Sequence, residues 1–312
     1  MIALMKSKVT VIGAGNVGAT TALMLSQTGI ADVVLFDIAE GIPQGKALDI
    51  MQATPLSGLS VSCQGTNSYD LTAGSDIIVI TAGFPRKPGM SRDDLLHANA
   101  QVIREVVTGT ASLSPEGIYI VVTNPMDVMT LIAWEVCGFD YRRVLGMGGV
   151  LDSARFRTFI SMELGVSPAD VDGMVLGGHG DLMVPLPSFT TVNGIPLARL
   201  LTQNRTTTLI ERTRNGGAEI VSLLKSGSAY YAPAASTVQM VRAILLDEKR
   251  ILPCAAYLTG EYGNQGVFVG VPVLLGRGGA EKIIELPLTP AETTAFASSV
   301  EAVRAMLDTI QR

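Results

Sequence analysis

One histidine of this chain lies in a setting that suits proton transfer. His179 is flanked by glycines on both sides, in residues 177–181 (GGHGD). Neighbouring glycines leave an imidazole little side chain to pack against, so core filling explains the residue poorly. Histidine titrates near neutral pH and therefore suits general acid–base chemistry. The only other histidine, His97, falls in the middle of a predicted helix and is interpreted as structural.

An aspartate and an arginine could serve that histidine. Asp152 and Arg155 lie at the start of a predicted helix over 151–164, and positions three apart share one helical face. A carboxylate such as Asp152 would fix the tautomer of an imidazole and stabilise the imidazolium. The same spacing is also typical of a surface ion pair, and these two residues alone leave both interpretations open.

Two further arginines, Arg86 and Arg92, lie in a loop that follows a predicted strand over 76–81. Ligands of doubly wound sheets bind at the carboxyl ends of the strands, where this loop begins. Glycines and prolines surround its cations, as in a lid that brings positive charge onto an anionic substrate. A solvated basic loop is the alternative.

A glycine-rich turn opens the first predicted helix, with the sequence Gly13-Ala14-Gly15-Asn16-Val17-Gly18. This G-x-G-x-x-G pattern directly after a strand is typical of dinucleotide binding, because it brings the pyrophosphate onto a helix N-terminus. The second predicted strand ends at Asp37, 19 residues after Gly18. An acid there can bind ribose hydroxyls and would repel a 2′-phosphate, which favours NAD over NADP. An ordinary glycine-rich turn is the alternative.

The predicted elements around these residues alternate between strand and helix in the first half of the chain. Strands are predicted over 8–13, 32–37, 76–81 and 118–123, with helices over 16–28, 43–53 and 93–108. The second half has predicted helices over 151–164, 206–225, 230–248 and 290–311 and short strands over 171–176, 189–192 and 266–275. We expect an α/β fold with an N-terminal Rossmann, doubly wound parallel sheet over 1–146 and a C-terminal α+β substrate-binding and catalytic domain over 147–312.

Composition excludes several other classes of protein. The 312 residues carry a net charge of −5 without a Lys/Arg-dense stretch, so we expect no nucleic-acid partner. The uncharged run over 9–31 is interrupted by glycines, which argues against a membrane helix or a signal peptide. The three cysteines are far apart in sequence, which predicts reduced thiols rather than disulfides or a metal site.

Together these motifs resemble the NAD-dependent L-lactate/L-malate dehydrogenase superfamily over essentially the whole chain. Within it, the chain resembles the bacterial malate dehydrogenases that share the lactate dehydrogenase architecture. The matching segments occur in family order, at residues 13–18, Asp37, and residues 81–83, 85–92, 122–125, 151–155 and 177–181.

The resemblance implies a role for each matching residue. His179 would take the proton from the C2 hydroxyl of the substrate, Asp152 would orient it, and Arg155 would hold the C1 carboxylate. Arg92 would polarise the C2 carbonyl, and Asn124 would hydrogen-bond the substrate oxygen. NAD would be bound by Gly13, Ala14, Gly15, Asn16, Val17, Gly18, Asp37, Asn99, Val122, Thr123 and Asn124, and no metal is expected.

Arg86 is the residue that would select the substrate. Lactate dehydrogenases of the superfamily usually have an uncharged or otherwise altered residue at the matching position. Here an arginine would pair with the second carboxylate of malate or oxaloacetate. Lactate or pyruvate would leave that cation buried without a partner, which costs several kcal/mol. The resemblance therefore implies reversible, NAD-dependent oxidation of (S)-malate to oxaloacetate.

Three other functions remain as alternatives. The nearest is an L-lactate or broad 2-hydroxyacid dehydrogenase. A non-catalytic NAD-binding module would need none of the charged site residues. A metal-dependent, NAD-using glycosidase would need a Cys/His metal pair, and neither Cys137 nor Cys254 lies beside a histidine in sequence.

The resemblance also implies a homo-oligomer, with a tetramer favoured over a dimer, and the predicted reduced thiols favour a cytoplasmic protein. Only 16% of the residues are charged, which we interpret as extensive burial with apolar surface left for subunit contacts.

Residues 227–231, which include the small Ala229, are predicted to form the far wall of the substrate pocket.

Overall fold

Six strands alternate with helices in the first half of the chain. In the computed structural model, which describes residues 6–84 and 91–311, the strands are β1 (Ser7–Ile12), β2 (Ala31–Phe36), β3 (Cys63–Thr66), β4 (Ile77–Ile80), β5 (Ile118–Val121) and β6 (Val144–Gly146). The helices among them are α1 (Asn16–Thr28), α2 (Ile42–Ala53), α3 (Arg92–Ala111) and α4 (Met126–Cys137). The six strands are parallel and lie in the order β3-β2-β1-β4-β5-β6. This order confirms the predicted Rossmann sheet and places its switch point between β1 and β4.

The central strands are buried on both faces, which explains why they are apolar without alternation. Val11 and Val79 belong to one buried cluster, whereas their neighbours Ile12 and Ile80 belong to another. Successive side chains of a strand point to opposite faces, and each face of this sheet is covered by helices. A continuous apolar run is therefore what these strands need.

The second half of the chain adds helices and extends the same sheet. Its helices are α5 (Gly149–Leu164), α6 (Leu197–Leu200), α7 (Gln203–Leu224), α8 (Tyr231–Leu245) and α9 (Pro290–Gln311). Its strands are β7 (Val171–Asp172), β8 (Val175–Leu176), β9 (Val184–Pro185), β10 (Thr191–Val192), β11 (Ile195–Pro196), β12 (Arg250–Thr259), β13 (Gln265–Gly276) and β14 (Gly279–Ile283). Strands β12, β13 and β14 are antiparallel and join β6 through the single pair Ala255 and Gly146, which gives a nine-stranded sheet.

Several elements differ from the sequence-based expectations. The predicted strand over 171–176 is divided into β7 and β8, and Phe189 belongs to a short 3-10 helix rather than to the strand expected over 189–192. The helix expected over 230–248 ends at Leu245, because Asp247 and Lys249 both adopt positive φ values. Left-handed backbone cannot continue an α-helix.

Eight elements were not predicted: β3, β6, α4 and β12, and the shorter elements β9, β11, β14 and α6. The first eight residues of α4 are all buried, so this helix lacks the polar face that would reveal its period. Strand β12 contains Pro253, which argues against an interior strand. Pro253 is tolerated because it lies opposite Pro272 of β13, and β12 pairs with β6 only at Ala255.

Among the described residues, none of the helices combines the length and apolar content needed to cross a membrane. The three cysteines are free thiols, and two of them, Cys63 and Cys254, are buried.

Candidate active site

The glycine-rich turn after β1 is shaped by three glycines with different environments. A Cβ on Gly13 would lie 2.7 Å from the amide nitrogen of Ala82, and a Cβ on Gly18 would collide with the carbonyl oxygen of Gly13. Gly13 also has a φ of +102°. Gly15, by contrast, faces open space, with nothing within 4 Å of a Cβ built there. The first and third glycines therefore allow close packing, and the second leaves room for a ligand.

The amino end of α1 and the carboxylate of Asp37 fit a dinucleotide. No side chain caps the N-terminus of α1, so its first N–H groups stay available for a pyrophosphate. Asp37 accepts hydrogen bonds from the N–H groups of Ala14 (2.6 Å) and Ala39 (2.9 Å), and these place its carboxylate beside the turn. Each carboxylate oxygen has a further lone pair with which to accept a ribose hydroxyl.

His179, Asp152 and Arg155 come together in the second half of the chain. His179 follows β8, and its Nδ1 lies 2.8 Å from Oδ2 of Asp152 on α5. The Asp152 carboxylate accepts at its other oxygen from Nη1 of Arg155, at 3.3 Å. An ionised carboxylate can only accept, so Nδ1 carries the proton and Nε2 is the basic nitrogen. Because the side chain of Asp152 is only 2% exposed, the contact with Arg155 is not a surface ion pair.

The backbone around His179 is held by three separate elements. Gly177 exchanges two backbone hydrogen bonds with Gly270 of β13. The N–H of Gly178 donates to Oγ of Ser299 on α9, and the N–H of His179 donates to Oδ2 of Asp127 on α4, each at 2.8 Å. The imidazole is therefore positioned through its main chain as well as through Asp152.

Electrostatics around this cluster favour a charged imidazole. Burial alone would lower the pKa of His179, but the nearby carboxylates, chiefly that of Asp152, raise it above its ordinary value. Burial raises the pKa of Asp127 to about 6, although the hydrogen bond from His179 opposes that shift. His179 therefore faces two buried carboxyl groups on different helices.

The loops after β4 and β5 are joined by buried polar side chains. Asn99 on α3 accepts from the N–H of Phe84 (2.7 Å) and donates to the carbonyl oxygens of Asn124 (2.7 Å) and Phe84 (3.3 Å). Thr123 donates to the carbonyl oxygen of Ala82 at 2.7 Å. The amide of Asn99 is thus engaged with backbone, whereas the side chain of Asn124 is exposed and has no hydrogen-bond partner within residues 6–84 and 91–311.

Two cavities meet at His179. One, of about 400 Å³, extends from Val17 of the glycine-rich turn to Arg155. Its lining includes Ser228 and Ala229, which belong to the segment 227–231 predicted as the far wall of the substrate pocket. The other, of about 630 Å³, lies under α9. The residues that line both are Asn124, His179, Gly180 and Asp181.

Two of the expected substrate-binding arginines cannot be placed relative to this cluster. Arg86 and the side chain of Arg92 are outside the described part of the molecule, so their placement stays a prediction. His97 is exposed on α3. Over the described ranges, no group of three or more His, Cys, Asp or Glu side chains could hold a metal ion.

Sequence reasoning missed two charged residues near His179. Arg214 on α7 lines the smaller cavity and donates from Nε to the carbonyl oxygen of Met183 at 3.1 Å. Asp127 binds the main chain of His179. The sequence did contain a signal for Asp127, because Asp127 and Glu135 are the only charged residues in the apolar stretch over 126–137.

The chain is similar to known proteins over almost its full length. Residues 7–146 match the family model for the lactate/malate dehydrogenase NAD binding domain, and residues 149–312 match the model for the lactate/malate dehydrogenase alpha/beta C-terminal domain. It is 54% identical over 308 residues to a malate dehydrogenase of Roseiflexus castenholzii, which covers 99% of this chain and 100% of that protein.

Solved structures show the same likeness. The 1.55 Å structure of malate dehydrogenase from Salinibacter ruber is 49% identical, covers 98% of each chain and superposes with a TM-score of 0.94. The lactate dehydrogenase from Cryptosporidium parvum, complexed with lactic acid and NAD, is 42% identical, covers 98% of each chain and has a TM-score of 0.95.

Proposed function

Because the chain belongs to the lactate/malate dehydrogenase family, we propose that it is an NAD-dependent malate dehydrogenase. The reaction is (S)-malate + NAD⁺ ⇌ oxaloacetate + NADH + H⁺, in which NAD supplies the hydride acceptor. The observation that carries this proposal is the 2.8 Å contact between Nδ1 of His179 and Oδ2 of Asp152, beside Arg155 and a cavity that reaches the glycine-rich turn.

The acid–base step belongs to His179 and Asp152. Nε2 of His179 accepts the proton of the C2 hydroxyl as malate is oxidised, and the imidazolium returns it to the carbonyl oxygen in the reverse direction. Asp152 holds the tautomer that leaves Nε2 basic, and its charge stabilises the imidazolium as it forms. Burial of the pair strengthens this interaction relative to water.

Substrate binding belongs to the arginines and Asn124. The guanidinium of Arg155 is anchored to Asp152 through Nη1, while its Nη2 has no hydrogen-bond partner among the described residues and remains a donor for the C1 carboxylate. Asn124 presents an exposed amide to the substrate oxygen. By resemblance, Arg92 polarises the C2 carbonyl and Arg86 binds the second carboxylate.

NAD binding belongs to the first half of the chain. Gly15 and the uncapped start of α1 offer space and N–H groups to the pyrophosphate, and Asp37 offers acceptors to the ribose. Ala14, Asn16 and Val17 complete the turn. The nicotinamide end is assigned to the segment with Val122 and Thr123, which Asn99 braces. Under this proposal, residues 1–146 form the NAD-binding domain and residues 147–312 the substrate-binding domain.

The deciding experiment follows NADH oxidation with oxaloacetate and pyruvate side by side. We expect kcat/KM for oxaloacetate to exceed that for pyruvate by at least about 10²-fold, because an unpaired buried cation disfavours the monocarboxylate. Comparable values for the two substrates would instead identify a broad 2-hydroxyacid dehydrogenase, and a preference for pyruvate would identify a lactate dehydrogenase.

Replacing Asp37 by asparagine is expected to weaken the preference for NAD over NADP by about tenfold, because removal of one like charge relieves repulsion of the 2′-phosphate. The asparagine oxygen still accepts one backbone N–H, so the turn keeps part of its support. The measurement is kcat/KM for each cofactor at fixed malate concentration. Asp32→Asn is the matched control, since Asp32 also binds a backbone N–H (Ser62, 2.7 Å) but lies at the opposite end of β2. An equal effect of both substitutions would contradict the role of Asp37.

Assembly and cellular setting complete the proposal. We propose a cytoplasmic homo-oligomer, a tetramer rather than a dimer, that serves the tricarboxylic acid cycle. Exposed apolar side chains such as Leu48, Leu56 and Leu223 supply surface for subunit contacts. Sedimentation equilibrium of the purified protein distinguishes a tetramer from a dimer.

A further inference from the structure

Asp127 is a buried carboxylate beside the proposed acid–base residue His179, and the proposed reaction assigns it no role. Its residue exposure is only 2%. One oxygen accepts the backbone N–H of His179 at 2.8 Å, and the other, Oδ1, has no hydrogen-bond partner among the described residues. Over the same residues Asp127 forms no ion pair. A charge buried in this way is costly unless another group compensates it.

The imidazole of His179 is the group placed to compensate that charge. Asp152 and Arg155 face it from α5, Asp127 faces it from α4, and Asp181 lies on its own loop. At greater reach, Asp93 of α3 and Arg214 of α7 line the adjoining cavities. Of the described groups named here that contact one another, the carboxylates of Asp152 and Asp127 oppose the guanidinium of Arg155, which leaves one net negative charge. A proton on the imidazole neutralises it.

We propose that Asp127 is a positioning residue for His179, which fixes the main chain of the histidine through one oxygen and favours its imidazolium through its uncompensated buried charge. This inference rests on the proposed acid–base role of His179. Reduction of oxaloacetate starts from the imidazolium, so Asp127 extends that direction of the reaction to higher pH. The raised pKa of His179, to which Asp127 contributes together with Asp152, agrees with this arrangement.

The test replaces Asp127 by asparagine, which has nearly the same shape and keeps an oxygen acceptor for the N–H of His179 but removes the charge. The chain has only two histidines, so His97→Gln leaves a single imidazole for NMR titration of the substrate-free protein. We expect Asp127→Asn to lower the pKa of His179 by about one unit, the usual effect of losing one nearby carboxylate. The basic limb of oxaloacetate reduction should move to lower pH by the same amount.

The sign of the effect follows from the charge. Lowering the pKa of the imidazole means that the imidazolium is lost at lower pH. The rate of oxaloacetate reduction by the variant therefore falls below that of the parent protein as pH rises. As pH drops below about 6, Asp127 itself takes up a proton in the parent protein. The difference between parent and variant should therefore shrink in acid.

Ser299→Ala is the matched control, because Ser299 holds the neighbouring N–H of Gly178 at the same 2.8 Å without carrying a charge. It should leave the pKa of His179 in place. The proposal is overturned if Asp127→Asn does not change that pKa, or if Ser299→Ala lowers it as much. If Asp127→Asn fails to fold, the pKa of His179 in the parent protein is the second test. A value at or below the ordinary 6.5 also overturns the proposal.

These titrations need neither substrate nor cofactor. They therefore separate a failure of this inference from a failure of the proposed reaction, which the turnover of a His179 variant tests.

Discussion

Replacing His179 by asparagine is expected to lower kcat for malate oxidation by about 10³-fold, within the range that a positioned acid–base group contributes. Asparagine is similar in size to the near half of an imidazole and can still donate to Asp152, but it cannot take up a proton. Binding of NADH should be retained, because the glycine-rich turn and Asp37 lie on other elements, after β1 and β2.

Two measurements separate catalysis from binding in this variant. Turnover is followed by NADH absorbance, and NADH affinity by fluorescence titration of the same preparation. His97→Asn is the matched control, since it removes the other histidine from an exposed position on α3 and should retain parental turnover. Turnover of the His179 variant within tenfold of the parent value would refute the acid–base assignment.

Replacing Arg86 by glutamine is expected to lower kcat/KM for oxaloacetate by about 10²-fold or more, the usual penalty for losing one partner of a desolvated charge pair. Pyruvate has no second carboxylate and should lose little or gain. The ratio of the two kcat/KM values should therefore shift toward pyruvate. Glutamine keeps hydrogen-bond donors and much of the side-chain length, so the change isolates the charge.

Two control variants, one at the adjacent Lys87 and one at Arg86 itself, separate the role of the Arg86 charge from that of its loop. Lys87→Gln removes the adjacent cation of the same loop and should leave the substrate ratio unchanged. Arg86→Lys keeps the charge but not the planar fork and should give an intermediate ratio. If Arg86→Gln leaves the ratio of the two substrates as it was, the second carboxylate is bound elsewhere.

The residues proposed to carry the chemistry could be singled out because their local sequence is unusual. A histidine between glycines has no place in an ordinary core, and a G-x-G-x-x-G turn after an apolar strand has few other uses. The contact between His179 and Asp152 joins residues 27 apart in sequence. Chemical complementarity and family resemblance anticipated it, whereas its 2.8 Å geometry required the fold.

Asp127 shows where sequence reasoning stopped. It lies on α4, a helix whose buried surface hides the helical period, so neither the element nor the direction of its side chain was predicted. Its importance depends on the return of residues 177–181 to α4, a contact across 52 residues of chain. Strand β12 was missed for a similar reason, since Pro253 is tolerated through its place opposite Pro272 and the limited pairing of β12 with β6.

The parallel sheet, the glycine-rich turn and the residue types proposed to act in the reaction could all be inferred from the sequence. These follow from local periodicity, glycine placement and side-chain chemistry, all of which act over a few neighbouring residues. The burial of Asp152 and Asp127, the net charge around His179 and the two cavities that meet there became visible only in the folded chain. The physical reason is that burial and charge compensation depend on which distant segments meet, and the fold alone brings α4, α5, α9 and β13 to one histidine.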